Sequence, residues 1–507
     1  MEGHTKMPAI HKAHHRRIIA VLLLTLLIIP IAVFSTGTKE DVENKSVLIS
    51  ADLAEVLATT EEDSRVSVIV EFPDGTSKGE MLDRIYLAGL DSVQVRYAFD
   101  LIPMVSLSIR SDEVQALTQV PYVQEITLNQ ERQFLDATPP YERYIPSENG
   151  GGYVHFDSIL AADLMWAEGY NGTGITVAVL DSGVWGAHPD LQDRLIGFKD
   201  LINELDDMYP LDGVDAYDDN GHGTACAWNA VGDGTASGGV LKGIAPGANL
   251  LAIKVLDSSG SGEDDIIAQG IEFAIQQNVD VISISLGGEW SDNAFLVEPS
   301  LDEIENAVQA GISVVVAAGN SGPAALTINS PGVAEKAVTV GASYADTGIV
   351  AFSSVGPVLR TNSDPLGYTA KPDVVAPGYL VVSGRGNDVN TDEYQPYNVS
   401  QYGTSYTRWS GTSASTPMVA GMIALLAQKN LALTPVEAKA ALMKTATDLG
   451  NDPMSQGRGL ANVSRASHLL TNSSRDITLM APSRLPTLPW SPQVLILGDD
   501  RPPQNVT

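Results

Sequence analysis

Five short apolar runs between residues 174 and 342 constrain the fold more than any other feature: GITVAVLD, NLLAIKVLD, VDVISISLG, ISVVVAAGN and KAVTVGA. They are nearly continuous rather than alternating, the pattern of strands buried on both faces of a parallel sheet. Between them DIIAQGIEFAIQQ (265–277) and LDEIENAVQAG (301–311) carry a helical period. Strands alternating with helices imply an α/β domain, a doubly wound and mostly parallel sheet with helices on both faces. That pattern spans residues 153–470, so a chain of 507 residues has room for more than this one domain.

The remainder divides by composition. His11, Lys12, His14, His15, Arg16 and Arg17 form a basic flank, residues 18–34 are almost wholly apolar, and Ser35, Thr36 and Gly37 are small. Basic, apolar and small in that order read as a signal peptide over residues 1–37, with an uncleaved membrane anchor as the alternative. Residues 38–63 are polar and acidic and read as a linker. Residues 64–135 form a compact block. VSVIVEF (66–72), SVQVRY (92–97), MVSLSI (104–109) and VQEITL (123–128) are strand-like, residues 79–87 have helical period, and Ser111 can cap a helix through Leu117. The order β-α-β-β-α-β is that of a small α+β ferredoxin-like domain. The prolines and glycines of residues 136–152 mark an exposed, cleavable linker. Residues 471–507 have several prolines and no period, and are assigned no fold.

Acidic residues outnumber basic ones 62 to 30, giving a formal charge of −32. Such a surface excludes nucleic acid as a partner, because a phosphate backbone demands basic side chains. The single cysteine, Cys226, rules out an intramolecular disulfide. A chain sent outside the cell without disulfides relies on core size, bound ions, or both.

Ligands of an open parallel sheet collect beyond the carboxyl ends of its strands. Asp181 ends AVLDSG, Asn320 ends VVVAAGN, His222 sits in DDNGHGT, and Ser413 sits in SGTSASTPMVAG just before an apolar helical segment. Each residue type has a chemical use. A serine hydroxyl is a weak nucleophile that needs a base. Histidine takes and returns a proton near neutral pH. A buried carboxylate fixes the imidazole tautomer. An amide can donate to an oxyanion, and the backbone N–H of Ser413 at a helix start would be a second donor. Pro417 is expected to fall in the first turn of that helix, where its missing N–H costs nothing.

On these residues the chain resembles the subtilisin-like serine proteases, the subtilases (peptidase S8). D-S-G, G-H-G-T, A-A-G-N and G-T-S-x-x-x-P all occur, in that family's order of Asp, His and Ser. The resemblance covers residues 157–470. It implies a serine endopeptidase with Asp181, His222 and Ser413 as its triad and Asn320 in the oxyanion hole, acting on protein or peptide substrates. It further implies that Ser285, Leu286 and Gly287 form one substrate-pairing strand, and Gly260, Ser261 and Gly262 the other. By pattern, residues 64–135 resemble the family's inhibitory propeptide, so the chain would be a self-processing zymogen with its own propeptide as inhibitor. Asn329 falls near where the family closes the pocket for the residue before the cut. Cys226 matches a cysteine of the proteinase K-like branch and reads as a small buried hydrophobe.

The resemblance requires no cofactor for chemistry. A structural calcium is a candidate, because Asp190 matches a family calcium ligand and Asp206, Asp207, Asp212, Asp215, Asp218 and Asp219 form an acidic stretch of oxygen ligands, although such a stretch more commonly means a solvated loop. The expected location is extracellular, secreted or anchored at the cell surface. Two alternatives stay open. A sedolisin-type peptidase would use a glutamate base where this chain has His222. A catalytically inactive surface protein could keep the same scaffold.

Overall fold

The computed structural model describes residues 47–61, 63–134, 156–208, 215–290, 297–359, 368–386 and 404–472. The leader (1–37), the 136–152 linker and all but the first two residues of the 471–507 tail lie outside the described residues.

The smaller block contains β1 (Leu48–Ile49), β2 (Arg65–Glu71), β3 (Gln94–Ala98), β4 (Met104–Arg110), β5 (Glu125–Leu128) and β6 (Glu131–Phe134). Its five-stranded sheet has the order β1-β5-β2-β4-β3. Helices Lys78–Leu87 and Val114–Leu117 connect β2 to β3 and β4 to β5, which is the expected split βαβ arrangement. Ser77 closes a capping box with Glu80 at the start of the first helix.

The two faces of this sheet have different jobs. Val66, Val68 and Val70 of β2 and Val105, Leu107 and Ile109 of β4 pack with Met81, Ile85, Val114 and Leu117 in one core. Ile69 and Met104, on the alternate positions, pack instead with Phe99, Ile102 and Ala268, and Ala268 belongs to the larger block. The period-2 serines serve the same face: Ser106 Oγ donates to Asp265 Oδ2 at 2.6 Å.

The reading of residues 38–63 as a linker is corrected over its second half. β1 and the helix Ala51–Thr59 occupy it. Leu53, Val56 and Leu57 recur at i, i+3 and i+4 and join the small core, while Glu55 faces solvent. Most acidic residues of 38–63 lie outside this helix, so composition hid an amphipathic segment.

The larger block contributes β7 (Thr176–Asp181), β8 (Leu195–Asp200), β9 (Leu205–Met208), β10 (Asn249–Lys254), β11 (Ser261–Glu263), β12 (Val281–Ile284), β13 (Leu286–Gly287), β14 (Ser313–Ala317), β15 (Val338–Tyr344) and β16 (Gly348–Ile349). Its main sheet runs β16-β15-β14-β12-β7-β10-β8-β9, with residues Val374–Pro377 also paired to β15. The core pairings β10–β7, β10–β8, β12–β7, β12–β14 and β14–β15 are parallel.

Alternate residues of each central strand enter different cores. Val177 and Val179 of β7 pack with helices His222–Val231 and Thr412–Lys429. Ala178 and Leu180 pack with helices Asp264–Gln276 and Pro299–Gln309. Both faces are dry, which is why the strands read as unbroken apolar runs. The result is a three-layer doubly wound α/β domain, and Asp181 closes its central strand at the carboxyl end.

Candidate active site

His222 opens its helix behind Gly221, which holds φ 100°, a conformation that glycine reaches without steric cost. The helix start must also press onto the turn after β7. A Cβ on Gly223 would come within 2.1 Å of the Gly183 carbonyl oxygen, so the second glycine of GHG allows that approach. His222 Nδ1 then lies 2.7 Å from Asp181 Oδ1, with both side chains buried. An ionised carboxylate only accepts, so Nδ1 carries the proton and Nε2 is left as the basic nitrogen. The Ser182 N–H also donates to Asp181 Oδ1 at 2.7 Å, which fixes the carboxylate plane.

Ser413 is the second residue of helix Thr412–Lys429 and is fully buried. Its hydroxyl donates to the Ser285 carbonyl at 2.9 Å. The Ser285 hydroxyl donates back to the Ser413 carbonyl at 3.1 Å. The two residues therefore clamp the helix start to the end of β12.

Pro417 does not lie in the first turn, as sequence reasoning expected, but is the sixth residue of the helix. It supplies no N–H to the carbonyl of Ser413, four residues earlier. The Ser285 hydroxyl takes that role, and Cys226 Sγ lies 3.6 Å from the same oxygen. The proline thus removes an intrahelical bond and leaves the Ser413 carbonyl to cross-link three elements.

Asn320 follows β14. Its Oδ1 accepts from the Thr412 N–H and the Thr412 hydroxyl, each at 2.9 Å. A backbone N–H can only donate, so the amide oxygen must face Thr412 and the NH₂ must be the other end. A donor is thereby fixed beside Ser413.

The predicted substrate strands are β11 and β13, and they flank β6 of the smaller block in an antiparallel sheet ordered β11-β6-β13. Gln133 pairs with Ser261 on one side and Gly287 on the other, and Phe134 pairs with Leu286. The Phe134 N–H donates to the Gly260 carbonyl at 2.9 Å. The Phe134 ring lies against His222 with centroids 4.9 Å apart. Gly260 holds φ 82°, and a Cβ there would overlap the Phe134 ring, so a bare backbone is needed at this position. Asn329 is buried behind this sheet, against Gly287 and Gly319.

Residues 172–460 match the subtilase family (peptidase S8). The chain belongs to the subtilase family. It is 36% identical over 422 residues to "Serine protease AprX" of Bacillus subtilis (strain 168), covering 78% of this chain and 87% of that protein. It is 31% identical to "M-protease" of Shouchella clausii, over 84% of this chain and 97% of the relative. Fervidolysin of Fervidobacterium pennivorans, a solved structure described as a keratinolytic enzyme related to subtilisin, superposes with a TM-score of 0.65 at 23% identity, over 83% of this chain and 63% of that one. The subtilase is a serine endopeptidase whose substrates are proteins, and the chemistry of its family needs no cofactor.

Several residues that shape this subtilase site were not singled out from sequence for this role. Asp218 accepts from the Ser182 hydroxyl (2.9 Å), the Gly221 N–H (2.7 Å) and the Thr224 N–H (2.8 Å), so it ties the aspartate turn to the histidine helix. Trp409 sets the edge of its ring against His222, with centroids 5.0 Å apart and planes at 80°. Asp218 sits inside the DDNGHGT signature, a usable signal, whereas nothing local marks Trp409. Cys226 packs beside His222, its sulfur 3.7 Å from Nδ1. Burial first, and the Asp181 charge second, push its thiol well above the usual range. It is therefore a neutral hydrophobe and not a second nucleophile.

Asp190 does not fit the role of a calcium ligand. Its Oδ2 accepts from Trp228 Nε1 at 2.7 Å and the Tyr406 hydroxyl at 2.8 Å, and its Oδ1 from the Ala236 N–H at 2.6 Å. Proton donors point at oxygens that a cation would need. In the acidic stretch, Asp218 is engaged as described and Asp219 pairs with Lys254 at 2.6 Å. Asp212 lies outside the described residues, and the side chains of Asp206 and Asp207 are likewise not described.

Proposed function

We propose that Asp181, His222 and Ser413 are the catalytic triad, that Asn320 is the oxyanion donor, and that Gly260–Gly262 and Ser285–Gly287 hold the substrate. The Asp181–His222 pair at 2.7 Å, beside a serine at a helix start, carries this reading. Ser413 Oγ attacks the scissile carbonyl as His222 Nε2 takes its proton. Asp181 stabilises the imidazolium that forms, and the Asn320 amide and the Ser413 N–H stabilise the oxyanion. His222 then protonates the leaving amine. Water, deprotonated in its turn by His222, hydrolyses the acyl-enzyme.

We further propose that residues 64–135 are an inhibitory propeptide joined by a cleavable linker (136–152) to a peptidase domain (153–470), and that the enzyme is a self-processing zymogen. β6 lies where an extended substrate would add as a strand between β11 and β13. Phe134 pairs with Leu286, and the preceding Ser285 carries the carbonyl that holds the Ser413 hydroxyl. The pairing of Phe134 with Leu286, next to Ser285, supports cleavage after Leu135 or in the linker. Residues 1–37 are proposed to direct the enzyme outside the cell, by secretion or by anchoring at its surface. Among the described residues no helix is long and apolar enough to cross a membrane.

The docking of the proposed propeptide offers a test. The Tyr97 hydroxyl donates to Glu272 Oε2 at 2.7 Å, and the N–H groups of Asp100 and Leu101 reach Oε1 at 2.9 and 3.1 Å. A hydrogen bond to a charged group contributes about 1.5–3 kcal/mol. Added back to mature enzyme, the Tyr97→Phe propeptide should inhibit roughly tenfold or more less tightly than the wild-type one. Equal inhibition constants would remove this contact from the interface, and no inhibition by either would remove the propeptide assignment.

A further inference from the structure

The side chain of Arg132, on β6, is 1% exposed although β6 itself is a strand lying in a cleft. Its neighbours Glu131 and Gln133 point to solvent, so the burial is specific to the positions that face the larger block. Arg132 Nε donates to Asp264 Oδ1 at 3.2 Å, and Nη2 lies 2.9 Å from Glu298 Oε2. Both carboxylates are themselves buried, and both belong to the larger block. Each is built in by a second residue. The Ser300 N–H and hydroxyl donate to Asp264 at 3.1 and 2.7 Å, and the Ser330 hydroxyl donates to Glu298. The floor is bare backbone: a Cβ on Gly288 would come within 3.0 Å of Arg132 Nη1.

Two carboxylates withdrawn from water are costly unless a cation faces them. Two acids set at different points around one side chain suit the fork of a guanidinium better than the point charge of an ammonium. The acids remain with the enzyme when the strand leaves, and any extended substrate added between β11 and β13 presents a side chain at the same place. We propose that Asp264 and Glu298, with Ser300 and Ser330 behind them, form a subsite that selects peptides carrying arginine two residues before the one stacked on His222. This rests on the reading of β6 as the occupant of the substrate cleft. With cleavage after the residue that follows Phe134, the arginine is the fourth residue before the cut bond.

The test uses mature enzyme and a series of fluorogenic peptides that differ only at that fourth residue: arginine, lysine, leucine or glutamate. Charge-assisted hydrogen bonds of the usual size predict that kcat/KM for arginine exceeds that for leucine by on the order of 10–100-fold. Lysine should fall between them, and glutamate should be the poorest. In Glu298→Gln and in Asp264→Asn the arginine-to-leucine ratio should collapse toward one. The ratio is read within each enzyme, so a general loss of activity in a variant does not imitate the result, and the wild-type series stands alone if a variant does not fold. Equal kcat/KM across the four peptides would overturn the subsite while leaving the endopeptidase reading intact. An arginine preference that survives in both variants would overturn the assignment to these acids. Failure to cleave any peptide of the series would overturn the cleft reading, and the subsite with it.

Discussion

Ser413→Ala is expected to fold and to keep residues 64–135 covalently attached, running as an uncleaved precursor on a denaturing gel while wild type resolves into two fragments. The substitution removes one oxygen, and with it a hydrogen bond to the Ser285 carbonyl at 2.9 Å. A loss of that kind costs about 0.5–1.5 kcal/mol of stability, small beside the 5–15 kcal/mol of a folded domain. The helix start stays clamped, because the Ser285 hydroxyl still reaches the Ser413 carbonyl. Catalysis, on the proposed mechanism, loses its nucleophile. In subtilisin, a relative, removal of the serine costs about 2 × 10⁶ in kcat, and the size expected here is taken from that measurement. Maturation at the normal rate, in a preparation free of other proteases, would show that Ser413 is not the nucleophile or that processing is not autocatalytic.

Asn320→Ala should lower kcat by about 10²–10³ and change KM little, a size likewise taken from the corresponding donor in subtilisin. As the proposed oxyanion donor, the amide would act on charge that exists only in the transition state, so the loss belongs in kcat. The geometry adds a control. The Asn320 oxygen is held by Thr412 through two hydrogen bonds of 2.9 Å, and these orient the amide. Asn320→Asp keeps the acceptor but replaces the donor with a negative oxygen, so it should be at least as poor in kcat as alanine. A kcat unchanged in Asn320→Ala would remove the residue from the oxyanion site. A loss confined to KM would make it a ground-state contact.

What was legible in the sequence follows a physical line. Doubly buried strands announce themselves as apolar runs, and the candidate site at their carboxyl ends is marked by what stops each run: Asp181 as the last residue of β7 and Asn320 after β14. The glycines of DSG and GHG could be read as motif, but their reason lies in three dimensions, in the contact between Gly183 and Gly223. The helix Ala51–Thr59 was hidden because the acidic residues on either side of it set the polar character of residues 38–63, while three apolar residues within it carry the packing. Asp190 looked like a metal ligand because a carboxylate is the same letter whether it faces a cation or three protein donors. Pro417 was placed too early, since the start of its helix is set by Gly411 and Thr412 and not by the proline. The Arg132 cage was invisible for a further reason. Its members, at 132, 264, 298 and 330, are brought together only when one block lays a strand across another.

The most direct test of the central claim is labelling of the mature enzyme with a fluorophosphonate, which reacts only with a serine activated by a neighbouring base, followed by peptide mapping of the adduct. The account predicts stoichiometric labelling at Ser413 alone, abolished in Ser413→Ala and strongly slowed in His222→Ala. An adduct on any other residue, or no adduct on an enzyme that still cleaves protein, would contradict it.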